Sequence, residues 1–337
     1  SSAASDVYKR QMLDEGKFEE IVNIRNLSNL TVKGAGADKT EIQSDNNNNW
    51  NPGIKDGCDS GLADALKPGM DIPYVDGRNQ GGGRAGVLIA GKADKIRFED
   101  VSMRCLYPTK TQAEVLCIRN KSDNATAFVR CRFYSQQDTL LPGGGYNWFY
   151  DCYVEGDTDF IWGGNSACLF ESCEVEMITS GGRGFNARVK ANNIGYVFSE
   201  WSLTVAEGVT KCRLLEGSDG TGMVDNITFV NTTIDKEFFS GGINSKDKSM
   251  VPIAGYDDIR YNDGNNVVSL GEDTGIKDGC KMYNCTYYDG ENKKSVQESG
   301  VNGADRIHTL TSEEYNQYFK DRSTVLGGYA DTTWFTE

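Results

Sequence analysis

Two aspartates at matching offsets in a repeated sequence carry the strongest chemistry in this chain. Asp138 stands in the run QQDTLL (136–141), ten residues after Phe128, and Asp159 stands in DTDFIWGG (157–164), ten residues after Phe149. If the 21-residue units that begin at these phenylalanines stack as coils, the two carboxylates lie one above the other, about 4.8 Å apart. Two carboxylates that close cannot both ionise freely. One keeps a proton and serves as an acid while its neighbour stays a nucleophile or base. Gln137, Phe160 and Trp162 flank the pair. Aromatic faces suit the apolar faces of sugar rings, and glutamine amides donate to a developing oxyanion. The mixture points to a carbohydrate-facing site, against the simpler reading of a solvated acidic turn.

Composition removes several alternatives. The only histidine, His308, lies near the end of 337 residues, so a Ser-His-Asp or Cys-His site must use it and a multi-histidine zinc site cannot be built. Acidic side chains outnumber basic ones by 49 to 35, a net charge of −14. That balance argues against a nucleic-acid partner, whose phosphates are bound by Lys and Arg replacing counterions. It also opposes an anionic membrane surface. No apolar run approaches the roughly 18 residues that span a bilayer, so a soluble chain is expected.

The element that must position the aspartates is a repeat of the form Phe, two residues, often Cys, one residue, apolar. It begins at Phe98, Phe128, Phe149, Phe170, Phe198 and Phe229, with spacings of 30, 21, 21, 28 and 31 residues. Alternating apolar residues followed by Asn, Asp or Gly mark short strands. Units of this length with little helical pattern stack most naturally as a parallel β-helix. The fold class read here is all-β: one parallel β-helix domain over 12–337, with an interior ladder from Phe128, Phe149 and Phe170. Cys131, Cys152 and Cys173 stack likewise and are read as small buried hydrophobes. Cys58, Cys105, Cys117 and Cys280 lie off that ladder, with pairing left open.

Residues 43–86 break the rhythm and read as a long loop between a strand ending near Ile42 and one starting at Val87. A second polar excursion covers 240–278. Residues 1–11 show no apolar periodicity and read as a leader outside the fold. Gly34-Ala35-Gly36 reads as a β-helix turn and not a phosphate loop, because a strand returns by Ile42. Asn226-Ile227-Thr228 is a possible glycan acceptor. Thr311-Ser312-Glu313-Glu314 is a capping box opening a short helix, expected in a C-terminal cap over 309–337 that covers the last open coil.

At the aspartates the sequence resembles the pectin methylesterase family, carbohydrate esterases on a right-handed parallel β-helix. The family's Q-D-T-L stands as Gln137-Asp138-Thr139-Leu140 and its D-F-I-F-G as Asp159-Phe160-Ile161-Trp162-Gly163. Its Q-A-V-A-L is matched by Gln112-Ala113-Glu114-Val115-Leu116. Similarity runs from GKFEEIVNI at Gly16 to Trp334, without the family's opening helix and first strand.

The resemblance implies that Asp159 attacks a galacturonate methyl ester, that Asp138 protonates methanol and then activates water, and that Gln112 and Gln137 hold the oxyanion. It also implies that Phe160 and Trp162 border sugar subsites, and that Arg213, in the loose match of Lys211–Leu215 to L-G-R-P-W, orients Asp159. No cofactor or metal is needed for such chemistry. The resemblance further implies a monomer acting on pectin, secreted or at the periplasm or cell surface. Three aromatic positions of the family are Leu141, Leu215 and Ile243 here. A retaining glycosidase, which also uses close carboxylates, and a non-catalytic pectin-binding β-helix remain the alternatives. A lyase would need an acidic calcium cluster, and no such pattern stands out.

Overall fold

The protein is described from a computed structural model. It describes residues 8–49, 83–120, 123–190, 193–216, 223–241, 250–251, 260–262, 267–269, 279–289, 292–296 and 307–329. Within these residues the chain winds as a parallel β-helix, seven of whose coils give one strand to each of three long sheets. The phenylalanine sheet has ten strands, among them Asp94–Glu99, Ala125–Val129, Tyr146–Tyr150, Ala167–Glu171, Gly195–Ser199 and Ile227–Val230. A second sheet, also of ten strands, follows each of these after a sharp turn. A third, of seven strands, runs in the order Arg213–Leu215, Arg183–Ala187, Thr158–Gly163, Leu140–Pro142, Leu116–Asn120, Val87–Gly91, Val22–Arg25.

The phenylalanine repeat is in perfect register. Phe98, Phe128, Phe149, Phe170, Phe198 and Phe229 are direct partners on successive strands. Their ring centroids are 5.7, 4.7, 4.4, 5.0 and 5.1 Å apart along the ladder. Each such pair adds about 0.5–1.5 kcal/mol beyond its area burial. Two residues after each phenylalanine the backbone turns through the left-handed region: Asp100, Arg130, Asp151, Ser172, Glu200 and Asn231 have φ of 50–56°. One residue in that conformation redirects the strand into the second sheet, so the repeat carries both the interior ring and the corner.

The cysteine ladder is also present. Cys131, Cys152 and Cys173 are buried free thiols. The Cys173 thiol donates to the Phe149 carbonyl at 3.4 Å. Burial pushes the Cys131 and Cys152 thiols far up from the ordinary range, which makes them packing residues and not nucleophiles. Cys105, Cys117 and Cys280 are free as well, and Cys58 lies outside the described residues.

Strand Thr40–Ser44 runs two residues past the expected end at Ile42, and strand Val87–Gly91 starts at Val87. Residues 50–82 between them, and most of 240–278, lie outside the described residues. Two expectations change. Residues 9–11 belong to the fold, because strand Lys9–Met12 pairs with Leu30–Lys33 as the outermost strand of the phenylalanine sheet. All four of its side chains are exposed, so apolar alternation could not reveal it. Asn226 cannot take a glycan: it is fully buried, donating to the Asn193 carbonyl at 2.9 Å and accepting from the Gly279 amide at 2.7 Å.

The described part of the expected C-terminal cap lies along the side of the stack. The capping box exists, with Thr311 accepting from the Glu314 amide at 3.2 Å and Glu314 from the Thr311 amide at 2.8 Å. However, helix α1 (Ser312–Tyr318) and helix α2 (Arg322–Leu326) lead the chain back along the outside of the phenylalanine sheet. Phe319, Val325 and Leu326 pack there with Trp148, Leu169 and Val197. Arg322 stacks on Trp148 at 4.1 Å and pairs with Glu171 at 2.9 Å. Among the described residues, these helices cover the apolar outer face of that sheet, Tyr315 stacking on Tyr283 at 4.1 Å.

Candidate active site

The site lies at the entry edge of the seven-stranded sheet, where consecutive coils bring equivalent residues together. Gln112 bridges Gln137, and Gln137 bridges Thr158, both in parallel register. The Asp138 amide donates to the Thr158 carbonyl at 2.9 Å. One residue on in that register, Asp138 and Asp159 occupy equivalent positions of adjacent coils, as the equal offsets predicted. Both adopt the left-handed conformation, φ 66° and 50°, which Asp tolerates better than most residues. Such strain concentrates at working sites.

Asp138 is buried. Its Oδ2 accepts from Arg84 Nη2 at 2.6 Å, while Oδ1 is buried with no hydrogen-bond partner among the described residues. Burial is the largest cause that holds its carboxyl well above the usual range; Glu114 and Asp159 add to it, and Arg84 and Arg188 oppose it. That direction favours the protonated form of Asp138. Asp159 is partly exposed, and its Oδ2 accepts from Asn186 Nδ2 at 3.0 Å.

Sequence reasoning missed Arg84, Glu114, Asn186 and Arg188. Arg84 is buried and makes a fork to Glu114, Nε to Oε2 at 2.7 Å and Nη2 to Oε1 at 2.8 Å. Its Nη1 donates to Gln112 Oε1 at 2.8 Å. One signal was available: Glu114 stands between Ala113 and Val115 at the start of an apolar strand, and a carboxylate there demands a buried cation.

Two expected roles do not fit their places. Phe160 is fully buried in the interior with its ring 5.7 Å from Phe185, so it offers no face to a sugar. Strand alternation would put Phe160 on the same side as Trp162. The register shifts between Thr158 and Ile161, and with Asp159 left-handed this turns Phe160 inward. Trp162 is also buried, 7% exposed, in a small cluster with Leu88, Cys117 and Leu141, with the Arg188 guanidinium 5.1 Å above its ring. Arg213 is not brought to Asp159. It pairs in register with Arg183, whose other partner is Thr158, and its Nε donates to the Gly241 carbonyl at 2.7 Å. Arg84 and Arg188 are the guanidinium groups that act on Asp138. Ile243 lies outside the described residues.

His308 sits far along the stack on the terminal strand His308–Thr309, 3.2 Å from Glu314. Among the described residues no cluster of His, Cys, Asp and Glu could hold a metal ion, and no helix is long and apolar enough to cross a membrane.

Fold and site together define a parallel β-helix with a stacked carboxylate pair on one sheet. Residues 85–194, the segment that carries Gln112, Asp138 and Asp159, match the family model Pectinesterase. The match covers about a third of the chain. Pectinesterase 31 of Arabidopsis thaliana is 32% identical over 126 residues, 36% of this chain and 37% of that protein. Probable pectinesterase 56 of the same plant is 29% identical over 212 residues, 62% of this chain and 60% of that protein. The chain thus spans less than two thirds of the length of these relatives. Among solved structures, pectin methylesterase from carrot is similar at a TM-score of 0.65 and 17% identity, covering 99% of this chain and 89% of that one. Pectin methylesterase PemA from Erwinia chrysanthemi gives 0.63 and 17%, covering 98% and 91%. These structural likenesses establish the parallel β-helix.

Proposed function

We propose that the protein hydrolyses galacturonate methyl esters in pectin, releasing methanol. The observation that carries this reading is the unequal setting of the stacked carboxyls: Asp138 is buried against Arg84, and Asp159 is more exposed and oriented by Asn186. The Asp159 carboxylate attacks the ester carbonyl, forming a C–O bond and a tetrahedral oxyanion. Collapse breaks the bond to the methoxy group as Asp138 gives its proton to the leaving oxygen, so methanol departs and an acyl-enzyme remains. Asp138, now a carboxylate, takes a proton from water, and the hydroxide adds to the acyl carbon. Asp159 leaves, the uronate acid is free, and both aspartates regain their starting states. The sum is ester plus water giving acid plus methanol.

Gln112 supports the oxyanion role. A guanidinium has no acceptor, so the Gln112 amide must turn its oxygen to Arg84, leaving the NH2 group as the donor. Gln137, its ladder neighbour, offers a second amide. Substrate specificity for a wall polymer carries with it an extracellular or cell-surface place of action. The test is the product formed from methylated homogalacturonan: methanol without new reducing ends supports the esterase. New reducing ends would mark a glycosidase, and binding without either product a sugar-binding protein.

A further inference from the structure

Beside the acid lies a buried three-residue charge cluster that the esterase chemistry above does not by itself require. Arg84 Nη2 is shared between Glu114 Oε1 and Asp138 Oδ2, while its Nε is committed to the other Glu114 oxygen. All three side chains are at most 3% exposed. Where the family motif Q-A-V-A-L has an apolar residue, this chain has Glu114, and the guanidinium that neutralises it also touches the acid. Counting charge, Arg84 and Glu114 cancel. Asp138 is then the odd carboxyl of a buried cluster that is neutral only when Asp138 carries a proton.

The geometry points to Arg84 and Glu114 as a charge-balanced clamp that positions Asp138 and Gln112, Glu114 acting to stop Arg84 from holding Asp138 as a bare carboxylate. This rests on the esterase reading and adds to it two positioning residues, neither of which meets substrate. The charged groups that face Asp138 are Arg84 and Glu114 from the preceding coils and Asp159 and Arg188 from the following ones. Lys110 is engaged at the rim with Asp157 at 3.1 Å. Glu114 and Arg84 are the two that hydrogen-bond within the cluster itself. The clamp has two separable effects. Its charge balance sets the pH at which Asp138 loses its proton, and the Arg84 contact to the Gln112 oxygen sets how well the amide donor is aimed.

The test compares wild type, Glu114→Gln and the double variant Arg84→Met with Glu114→Val, each checked for folding by its thermal midpoint. Two readouts are taken: the pH dependence of kcat/KM for methanol release, and the pH titration of the Asp138 carboxyl by 13C NMR, assigned by its loss in Asp138→Asn. With Glu114→Gln the uncompensated guanidinium lowers the Asp138 titration and the alkaline limb by about one unit or more, the usual effect of an adjacent opposite charge. The double variant restores both toward wild type while kcat stays reduced, because Gln112 has lost its anchor. An Asp138 titration equal in wild type and Glu114→Gln overturns the clamp. If wild type releases no methanol yet the titration moves as stated, the clamp stands and the esterase reading falls.

Discussion

Asn186 donates from Nδ2 to Asp159 Oδ2 at 3.0 Å, from the strand one coil beyond the aspartate. The amide fixes one carboxylate oxygen, and the rotamer of the proposed nucleophile with it. Because Asn186 is itself buried, the contact is rigid. Asn186→Ala is expected to lower kcat by about 10²-fold, the scale of a small misplacement of a reacting group, with KM changed far less. Initial-rate kinetics on methylated pectin check this; a change confined to KM would show that Asn186 acts on binding.

Asp138 should sacrifice stability for function. Its folded-state pKa is raised by burial first and by Glu114 next. The sign follows: the unfolded chain releases this proton at lower pH than the folded one, so stability is lost as pH rises from the ordinary carboxylate range toward the folded pKa. Asp138→Asn removes the ionisation. Its thermal midpoint should match wild type at about pH 3 and exceed it increasingly toward neutral pH, while methanol release falls by about 10²–10⁴-fold, the usual worth of a general acid. A stability difference independent of pH would contradict the assignment.

Phe160 is predicted to be a core residue and nothing more. Phe160→Ala should cost about 3–5 kcal/mol. The close approach behind it gives a second test: a Cβ at Gly156 would fall 2.2 Å from Phe160 Cβ. Gly156→Ala therefore forces the ring and the adjoining Asp159 to shift, at a cost of about 1–3 kcal/mol. Chemical denaturation measures both. A Phe160→Leu variant with unchanged stability and a raised KM would return Phe160 to the sugar-facing role it was expected to play.

The net charge of −14 should show in substrate preference. De-esterified pectin is a polyanion, so an acidic protein meets it against repulsion that salt screens. Rates on low-methyl pectin are expected to rise with added salt, and those on high-methyl pectin to change little. Equal salt responses on the two substrates would show that the global charge plays no part.

Much of this was legible before folding. The phenylalanine spacing gave the coil, the interior ladder and the adjacent placement of Asp138 and Asp159, because each depends only on period and register. What failed depended on local backbone. Phe160 left its expected face at one left-handed residue and one register shift, neither of which alternation records. Lys9–Met12 was invisible because an exposed outer strand needs no apolar face. Arg84 escaped notice because it follows a glycine run that reads as loop, and only the stack shows that residues 84, 112, 114 and 138 meet. Arg213 was placed by a loose motif match, and the carbonyl of Gly241 takes its guanidinium instead.

The most direct test of the account is methanol release from highly methylated pectin by wild type and by Asp159→Asn. Wild type should release methanol in step with new carboxylates, and Asp159→Asn, which keeps the size and the Asn186 neighbour but loses the nucleophile, should fall to background. Methanol release by Asp159→Asn at the wild-type rate, or none from wild type on any methyl-esterified uronan, would contradict it.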